Sequence, residues 1–292
     1  MSRWDLANAE TEAPTEARED RARDRGDKGA RMKAFLGKQE VKDFYLARVR
    51  AHREADEIVQ GVYWEHGKGC AVGCTIHSGN HAAYETELGI PRIIAKLEDG
   101  IFESLENDRS MLWPEQFLSA PAVGADLALV WPRFAVWLLV DPTCGVFQFA
   151  KSDRSKKAIE DVADGYLAVI KGEAKTPNWA ELRAAADAAY AVANAADADA
   201  AYAANAAADA AYAANAAADA DAAAAYAAYA AYAAYAAADA AADAYAAAAG
   251  LRKRGEFREA QANKLLELLS AAPVPETARN AGTSQSIACN GQ

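Results

Sequence analysis

The sequence lacks the features that mark membrane, secreted and many catalytic proteins. Apolar runs such as 135–140 are far shorter than the roughly 20 residues that cross a bilayer. No apolar signal-peptide core stands near the N-terminus. The chain has only 4 cysteines, which indicates a reducing compartment rather than a disulfide framework. The G-x-S-x-G, H-E-x-x-H and Rossmann patterns are also missing. These absences predict a cytoplasmic protein without a recognisable catalytic motif.

Proline and glycine are both missing between Pro177 and Gly250, where alanine is interrupted only by occasional residues, mostly Tyr, Asp and Asn. Alanine is the best helix former because its side chain loses no rotamer entropy. Thr176-Pro177 matches a helix start, and Gly250 matches a helix end. The stretch therefore predicts either a single rod or a helical hairpin. A rod of roughly 70 residues would be about 105 Å long at 1.5 Å per residue.

The tyrosines of this Ala-rich stretch define a candidate interaction surface. At 100° per residue, most polar residues of its first half lie near one line, opposite a face of methyl groups. A methyl face allows a second helix to approach closely, which predicts self-association or docking of a protein partner. Low-complexity expansion is the alternative, because the unit DAAYAANAAA stands twice in succession. The candidate surface residues are Tyr190, Tyr202, Tyr212, Tyr226, Tyr229, Tyr232 and Tyr235.

The net charge of −11 comes mainly from the aspartates of the Ala-rich stretch. Such a surface repels phosphate groups, so nucleic acid is not an expected partner. Neither is a membrane, because the chain offers no spanning segment.

Composition divides the chain into segments and predicts an all-α fold. Helix-spaced apolar residues recur along the chain, whereas strand alternation is weak, with 145–150 as the best candidate. The predicted segments are a disordered charged N-terminus at 1–31, a helical globular domain with a Cys/Gly loop at 32–175, the Ala-rich rod at 176–250, an amphipathic helix at 251–272 and a disordered tail at 273–292.

The Cys/Gly loop, 61–79, is the most unusual stretch chemically. The pattern Cys70-x3-Cys74-x2-His77-x3-His81 supplies four residues of the types that zinc accepts. Their crowding departs from the two separated ligand pairs of most zinc sites. The sequence therefore leaves two alternatives open: a zinc site, or small buried cysteines in a glycine-rich turn.

The glycines of this loop also suggest a ligand pocket. They would let backbone N–H groups approach an anion, although Lys68 does not stand where a P-loop lysine stands. Nearby carboxylates could serve acid–base chemistry, although charged faces of surface helices look the same. The candidate ligand-binding residues are Lys68, Gly69, Cys70, Gly73, Cys74, Thr75, Tyr84 and Glu85. The candidate acid–base carboxylates are Glu85, Glu87, Asp99 and Glu103.

The segment 67–105 begins GKGCAVGCTIHSGNHAAYETELGIP, and VGADLALVWPRFAVWLL and the Ala-rich run follow it. This order resembles a family of uncharacterised proteins from phages, prophages and bacteria, over about 32–272. Cys70, Cys74 and His81 match that family better than His77 does. The resemblance implies an accessory protein of a mobile element in a bacterial host cell, with no established activity.

Three functions fit these observations. The first is a binding protein that self-associates or docks a partner through the Ala-rich helices, and by analogy sequesters a host protein or a small signalling ligand. The second is an enzyme with its site at the Cys70–His81 loop and the neighbouring carboxylates. The third is a helical spacer. We favour the binding protein over the enzyme because no catalytic constellation can be assembled from the sequence.

Overall fold

The computed structural model describes residues 32–173, 177–194, 198–218 and 223–275. These residues are mostly helical, which confirms the predicted all-α class. Within the described part of the chain, the only sheet is a hairpin of two short antiparallel strands, β1 (Trp64–Glu65) and β2 (Lys68–Gly69). No helix in these ranges is long and apolar enough to span a membrane.

Ten α-helices follow one another through the described residues. They are α1 (Gln39–Glu54), α2 (Ala71–Ile76), α3 (Arg92–Phe102), α4 (Asn107–Ser119), α5 (Val130–Val140), α6 (Asp153–Lys171), α7 (Trp179–Asn194), α8 (Ala198–Ala218), α9 (Ala223–Ala249) and α10 (Leu251–Ser270). Short 3-10 segments lie at Ala34–Gly37 and Val146–Phe149, and a π-helical turn at Tyr84–Leu88. The strand candidate 145–150 is therefore wrong, because its residues form a 3-10 turn.

The described residues of the Ala-rich region form three helices, and α8 packs extensively against both α7 and α9. The methyl groups of α8 are buried on several sides, as at Ala203, Ala204, Ala206 and Ala208. Alanine permits this packing because a methyl side chain lets neighbouring helices approach on any face. The straight rod is therefore not formed. Helix α9 also packs on α3 and α10, so buried residues before and after residue 176 belong to one continuous core.

Buried polar groups fix the Ala-rich helices to the rest of the chain. The hydroxyl of Tyr166 on α6 accepts a hydrogen bond from Trp131 Nε1 at 2.8 Å and donates one to the carbonyl of Ala210 at 2.6 Å. Between α7 and α8, the guanidinium of Arg183 lies 4.1 Å from the ring centroid of Tyr212. These contacts position α8 against α5, α6 and α7.

The predicted tyrosine surface is only partly exposed. Tyr190, Tyr212 and Tyr235 are half-buried within the chain, whereas Tyr202 is 38 % exposed. The side chains of Tyr226, Tyr229 and Tyr232 lie outside the described structure, as do Thr176, the predicted disordered N-terminus and residues 276–292 of the tail. Self-association through this surface stays a prediction.

Asp209 on α8 makes the stability of the Ala-rich helices depend on pH. Burial, followed by the charge of Asp187, raises the pKa of Asp209 from 3.8 to about 6, although Arg183 and Asn205 oppose the shift. Because the folded-state pKa is raised, the stabilising contribution is complete below about pH 4 and is lost as the pH rises through 6. At pH 7 the carboxylate therefore destabilises the fold.

We expect Asp209→Asn to raise the free energy of unfolding by about 2 kcal/mol at pH 7, allowing for partial exposure, and to have little effect at pH 4. Urea unfolding at both pH values measures this. Asp161→Asn, which removes a surface carboxylate paired with Lys157, is the control and should change stability by less than about 0.5 kcal/mol. An equal effect of Asp209→Asn at pH 4 and pH 7 would contradict the assignment.

Candidate ligand site

The Cys/Gly loop is shaped by the close approach of one carbonyl group. A Cβ atom on Gly73 would lie 1.5 Å from the carbonyl oxygen of Tyr63, and one on Gly69 would lie 2.1 Å from it. The amides of Gly69 and Cys70 donate to the carbonyls of Glu57 and Val62 at 3.0 and 2.7 Å. These glycines therefore let the segment before β1 pack on β2 and α2, and the two amides are not free to bind an anion.

The two cysteines of the loop have different neighbours. Cys70 Sγ lies 3.7 Å from Asp99 Oδ1, whereas Cys74 Sγ lies 3.2 Å from the carbonyl of Gly69. Cys70 is the N-cap of α2 and has an extended backbone, with φ −69° and ψ −176°. Its side chain therefore does not share the helix face on which Cys74 lies.

The two histidines of the predicted zinc set, His77 and His81, are separated as well. His77 stacks on Trp64 with ring centroids 4.2 Å apart, and its Nε2 lies 2.9 Å from Nε2 of His52. His81 Nε2 instead lies 3.1 Å from Asp99 Oδ2. The structure thus brings Cys70 and His81 to Asp99 and leaves Cys74 and His77 elsewhere, so the predicted four-ligand zinc set is not assembled.

Asp99 on α3 is the centre of a polar cluster. Its Oδ2 atom accepts hydrogen bonds from Lys96 Nζ at 2.7 Å and Tyr63 OH at 3.3 Å, in addition to the contact with His81. Lys96 and Asp99 are three residues apart on α3, and Glu103, the C-cap residue of this helix, follows four residues later, so all three lie on one face. Tyr63 and Cys70 reach that face from the loop, and His81 reaches it from just after the loop.

A cleft of about 260 Å³ opens beside this cluster. Tyr235 of α9 forms one of its walls. Its lining residues are Gly61, Val62, Tyr63, Lys96, Asp99, Gly100, Glu103 and Tyr235. Gly100 makes this wall possible, since a Cβ there would lie 2.2 Å from the Tyr235 ring. Lys96 Nζ lies 5.2 Å from the centroid of the same ring. The Ala-rich region therefore contributes a side chain to the cleft.

Burial and charge set the protonation of the cluster. Burial alone would raise the pKa of Asp99, but hydrogen bonds from His81 and Lys96 outweigh it and hold the pKa below its usual value. Burial alone would lower the pKa of Lys96, but the hydrogen bond and charge of Asp99 outweigh burial and raise the pKa of Lys96 overall. Burial, with smaller effects of nearby carboxylates, raises the pKa of Cys70 to about 12. At neutral pH the cluster holds a carboxylate, an ammonium and a thiol, so Cys70 is not an activated nucleophile.

A second acidic group lies behind the cluster. Glu98 is fully buried and accepts a hydrogen bond from Tyr84 OH at 2.6 Å, and burial raises the pKa of Glu98 to about 8. Tyr84, a predicted ligand-binding residue, is itself fully buried in this pair.

The other predicted residues lie away from the cleft. Glu85 forms an ion pair with Arg92 at 3.0 Å, Lys68 donates to the carbonyl of Asp56 at 3.2 Å, and Thr75 donates to the carbonyl of Ala71 at 2.8 Å. Glu87 accepts a hydrogen bond from Tyr45 OH at 2.5 Å.

Sequence reasoning identified Cys70, His81, Asp99 and Glu103 separately, but it gave no role to Lys96 or Tyr63. The spacing of Lys96, Asp99 and Glu103 along α3 was the available signal. Nothing in the sequence connects Tyr63 to this helix face.

Comparison of the chain with protein-family models, with curated proteins and with solved structures finds no match.

Proposed function

We propose that the chain is a binding protein for a small polar ligand and that the cleft beside Asp99 is its site. The observation that carries this proposal is the convergence of Tyr63, Cys70, His81 and Lys96 on one carboxylate at the wall of a cleft. Ligand sites typically combine a concave surface with a few convergent polar groups and perturbed pKa values.

The lining indicates the class of ligand. Lys96 and Tyr63 offer hydrogen-bond donors, Asp99 and Glu103 offer acceptors, and the ring of Tyr235 offers an apolar wall. A volume of about 260 Å³ lies just below the usual range for drug-sized ligands. The expected ligand is therefore a small metabolite that carries both donors and acceptors. In the mobile-element setting that the resemblance implies, the protein would sequester or sense such a metabolite in its host.

Binding of a small ligand is favoured over a cysteine-dependent enzyme and over docking of a partner through the Ala-rich helices. A cysteine-dependent enzyme would need a thiolate, and Cys70 is held as a thiol. A role that depends on docking through the methyl faces would need those faces exposed, whereas the described alanines of α8 are mostly buried within the chain.

Native mass spectrometry of the full chain, followed by denaturation, would detect a co-purifying small molecule. We expect Lys96→Met to weaken its binding roughly tenfold or more, since a charge-assisted hydrogen bond is lost. Tyr235→Ala should also weaken binding, because it removes one wall of the cleft. Tyr202→Ala, an exposed tyrosine of α8, is the matched control and should bind as the unmodified chain does. Equal ligand retention in all variants would contradict the proposed site.

A further inference from the structure

We infer that the inner wall of this cleft binds a divalent transition metal of the zinc class through Cys70, Asp99 and Glu103. The inference rests on the proposed function in that it assigns a cofactor to the same cleft. It differs from the zinc set Cys70, Cys74, His77 and His81 that the sequence suggests, because only the first of those four belongs to it.

The ligand atoms are already close to one another. One atom each from Cys70, Asp99 and Glu103, a thiol sulfur and two carboxylate oxygens, all lie within 4.8 Å of one another. Tetrahedral zinc, with bonds of about 2.0 to 2.3 Å, separates its ligand atoms by about 3.3 to 3.8 Å. A shift of about 1 Å is thus enough to form the site. Glu103, the exposed member, accepts a hydrogen bond from the Gly61 amide at 2.8 Å through Oε2, which leaves Oε1 for the metal.

Asp99 is oriented as a metal-binding carboxylate usually is. Its Oδ1 atom faces Cys70, while its Oδ2 atom accepts hydrogen bonds from Lys96 and His81. Such outer hydrogen bonds fix a metal-binding carboxylate and leave the other oxygen for the metal. The ammonium of Lys96 contacts the opposite oxygen and therefore does not fill the metal position. His81 is a positioning residue in this arrangement.

The surroundings of Cys70 are rich in negative charge. The carboxylates of Asp99 and Glu103 both lie close enough for their charges to act on the thiol. A divalent cation held by Asp99 and Glu103 would compensate the charges of these two neighbouring carboxylates.

Three protein ligands leave one position of a tetrahedral metal open. Structural zinc sites fill all four positions from the protein, whereas sites that handle ligands or substrates keep one open. Here Asp99 and Glu103 line the cleft, so the open position faces it. A nitrogen or oxygen atom of the bound small molecule, or a water molecule, would complete the coordination.

Titration of the reduced, chelator-treated full chain with Co²⁺ tests the inference, because a cobalt–thiolate bond gives a charge-transfer absorption band. We expect about one Co²⁺ per chain with this band, competed by Zn²⁺. Cys70→Ser should abolish the band, while Cys74→Ser, the matched buried control, should keep it. Glu103→Gln, at an exposed position that should not disturb folding, should weaken Co²⁺ binding roughly tenfold or more.

Absence of the band in the unmodified chain overturns the inference, as does its loss in Cys74→Ser but not in Cys70→Ser. Unchanged Co²⁺ affinity in Glu103→Gln also overturns it, whether or not Cys70→Ser folds. The proposed function has a separate test. It is contradicted if the chain binds Co²⁺ but the Lys96→Met and Tyr235→Ala variants retain the co-purified molecule as well as the unmodified chain does. Conversely, the chain could retain the co-purified molecule without showing the cobalt band. That result would support the ligand site and contradict only the metal site.

Discussion

Gly73→Ala is expected to prevent folding or to lower the free energy of unfolding by more than about 4 kcal/mol. The added Cβ would lie 1.5 Å from the carbonyl oxygen of Tyr63 and 2.6 Å from its carbonyl carbon. Both atoms belong to the backbone, so no side-chain rotation can relieve the clash. The segment before β1 would have to separate from α2, which would also displace Tyr63 and Cys70 from the cleft. Alanine's better helix propensity, about 1 kcal/mol, cannot offset this.

Gly255→Ala is the matched control, because a Cβ at that position of α10 has no atom within 4 Å. In a helix interior the change from glycine to alanine should raise stability by about 0.5 to 1 kcal/mol. Urea unfolding of both variants, or circular dichroism where Gly73→Ala does not fold, measures the difference. If Gly73→Ala were as stable as the unmodified chain, the close packing of Tyr63 on α2 would be wrong.

The helical class of the chain could be predicted from its sequence because alanine and apolar spacing both favour helix. The path of the Ala-rich region could not. Methyl groups cover nearly every face of its helices, so local sequence favours a rod and a folded-back bundle equally. Tertiary contacts decide between them, such as the hydrogen bond from Tyr166 OH to the carbonyl of Ala210 and the packing of Tyr235 on Gly100.

The sequence predicts which types of residue form the candidate site, but it does not predict which of them lie together beside Asp99. Sequence spacing makes Cys70 and Cys74 appear to share a helix face, but the extended backbone of Cys70 places it before that face begins. His77 has a φ of 54° and ends α2, so it turns towards Trp64 and away from His81. Backbone conformations at the two ends of a six-residue helix therefore decide which neighbours reach Asp99.

Removal of Arg258 is the second change with a large expected effect. This arginine of α10 is 2 % exposed and pairs with the carboxylate of Asp239 on α9. It also donates to Gln261 Oε1 at 3.1 Å and to the carbonyl of Ala238 at 3.4 Å. We expect Arg258→Ala to lower the free energy of unfolding by about 3 to 5 kcal/mol, because it leaves a cavity and removes the buried partner of the half-exposed Asp239 carboxylate. Asp239 keeps Arg254 as a partner, which places the expected effect towards the lower value.

Loss of the Arg258–Asp239 contact should also affect the cleft, because Tyr235 lies one helical turn before Asp239 on α9. We therefore expect Arg258→Ala to weaken retention of the small molecule as well as to destabilise the fold. The control is Arg252→Ala, whose side chain is 80 % exposed and pairs with Glu256 within α10; it should cost less than about 0.5 kcal/mol. Urea unfolding and native mass spectrometry of both variants measure the two effects. Equal stability of the two variants would mean that apolar packing alone, and not the buried arginine, fixes α10 to α9.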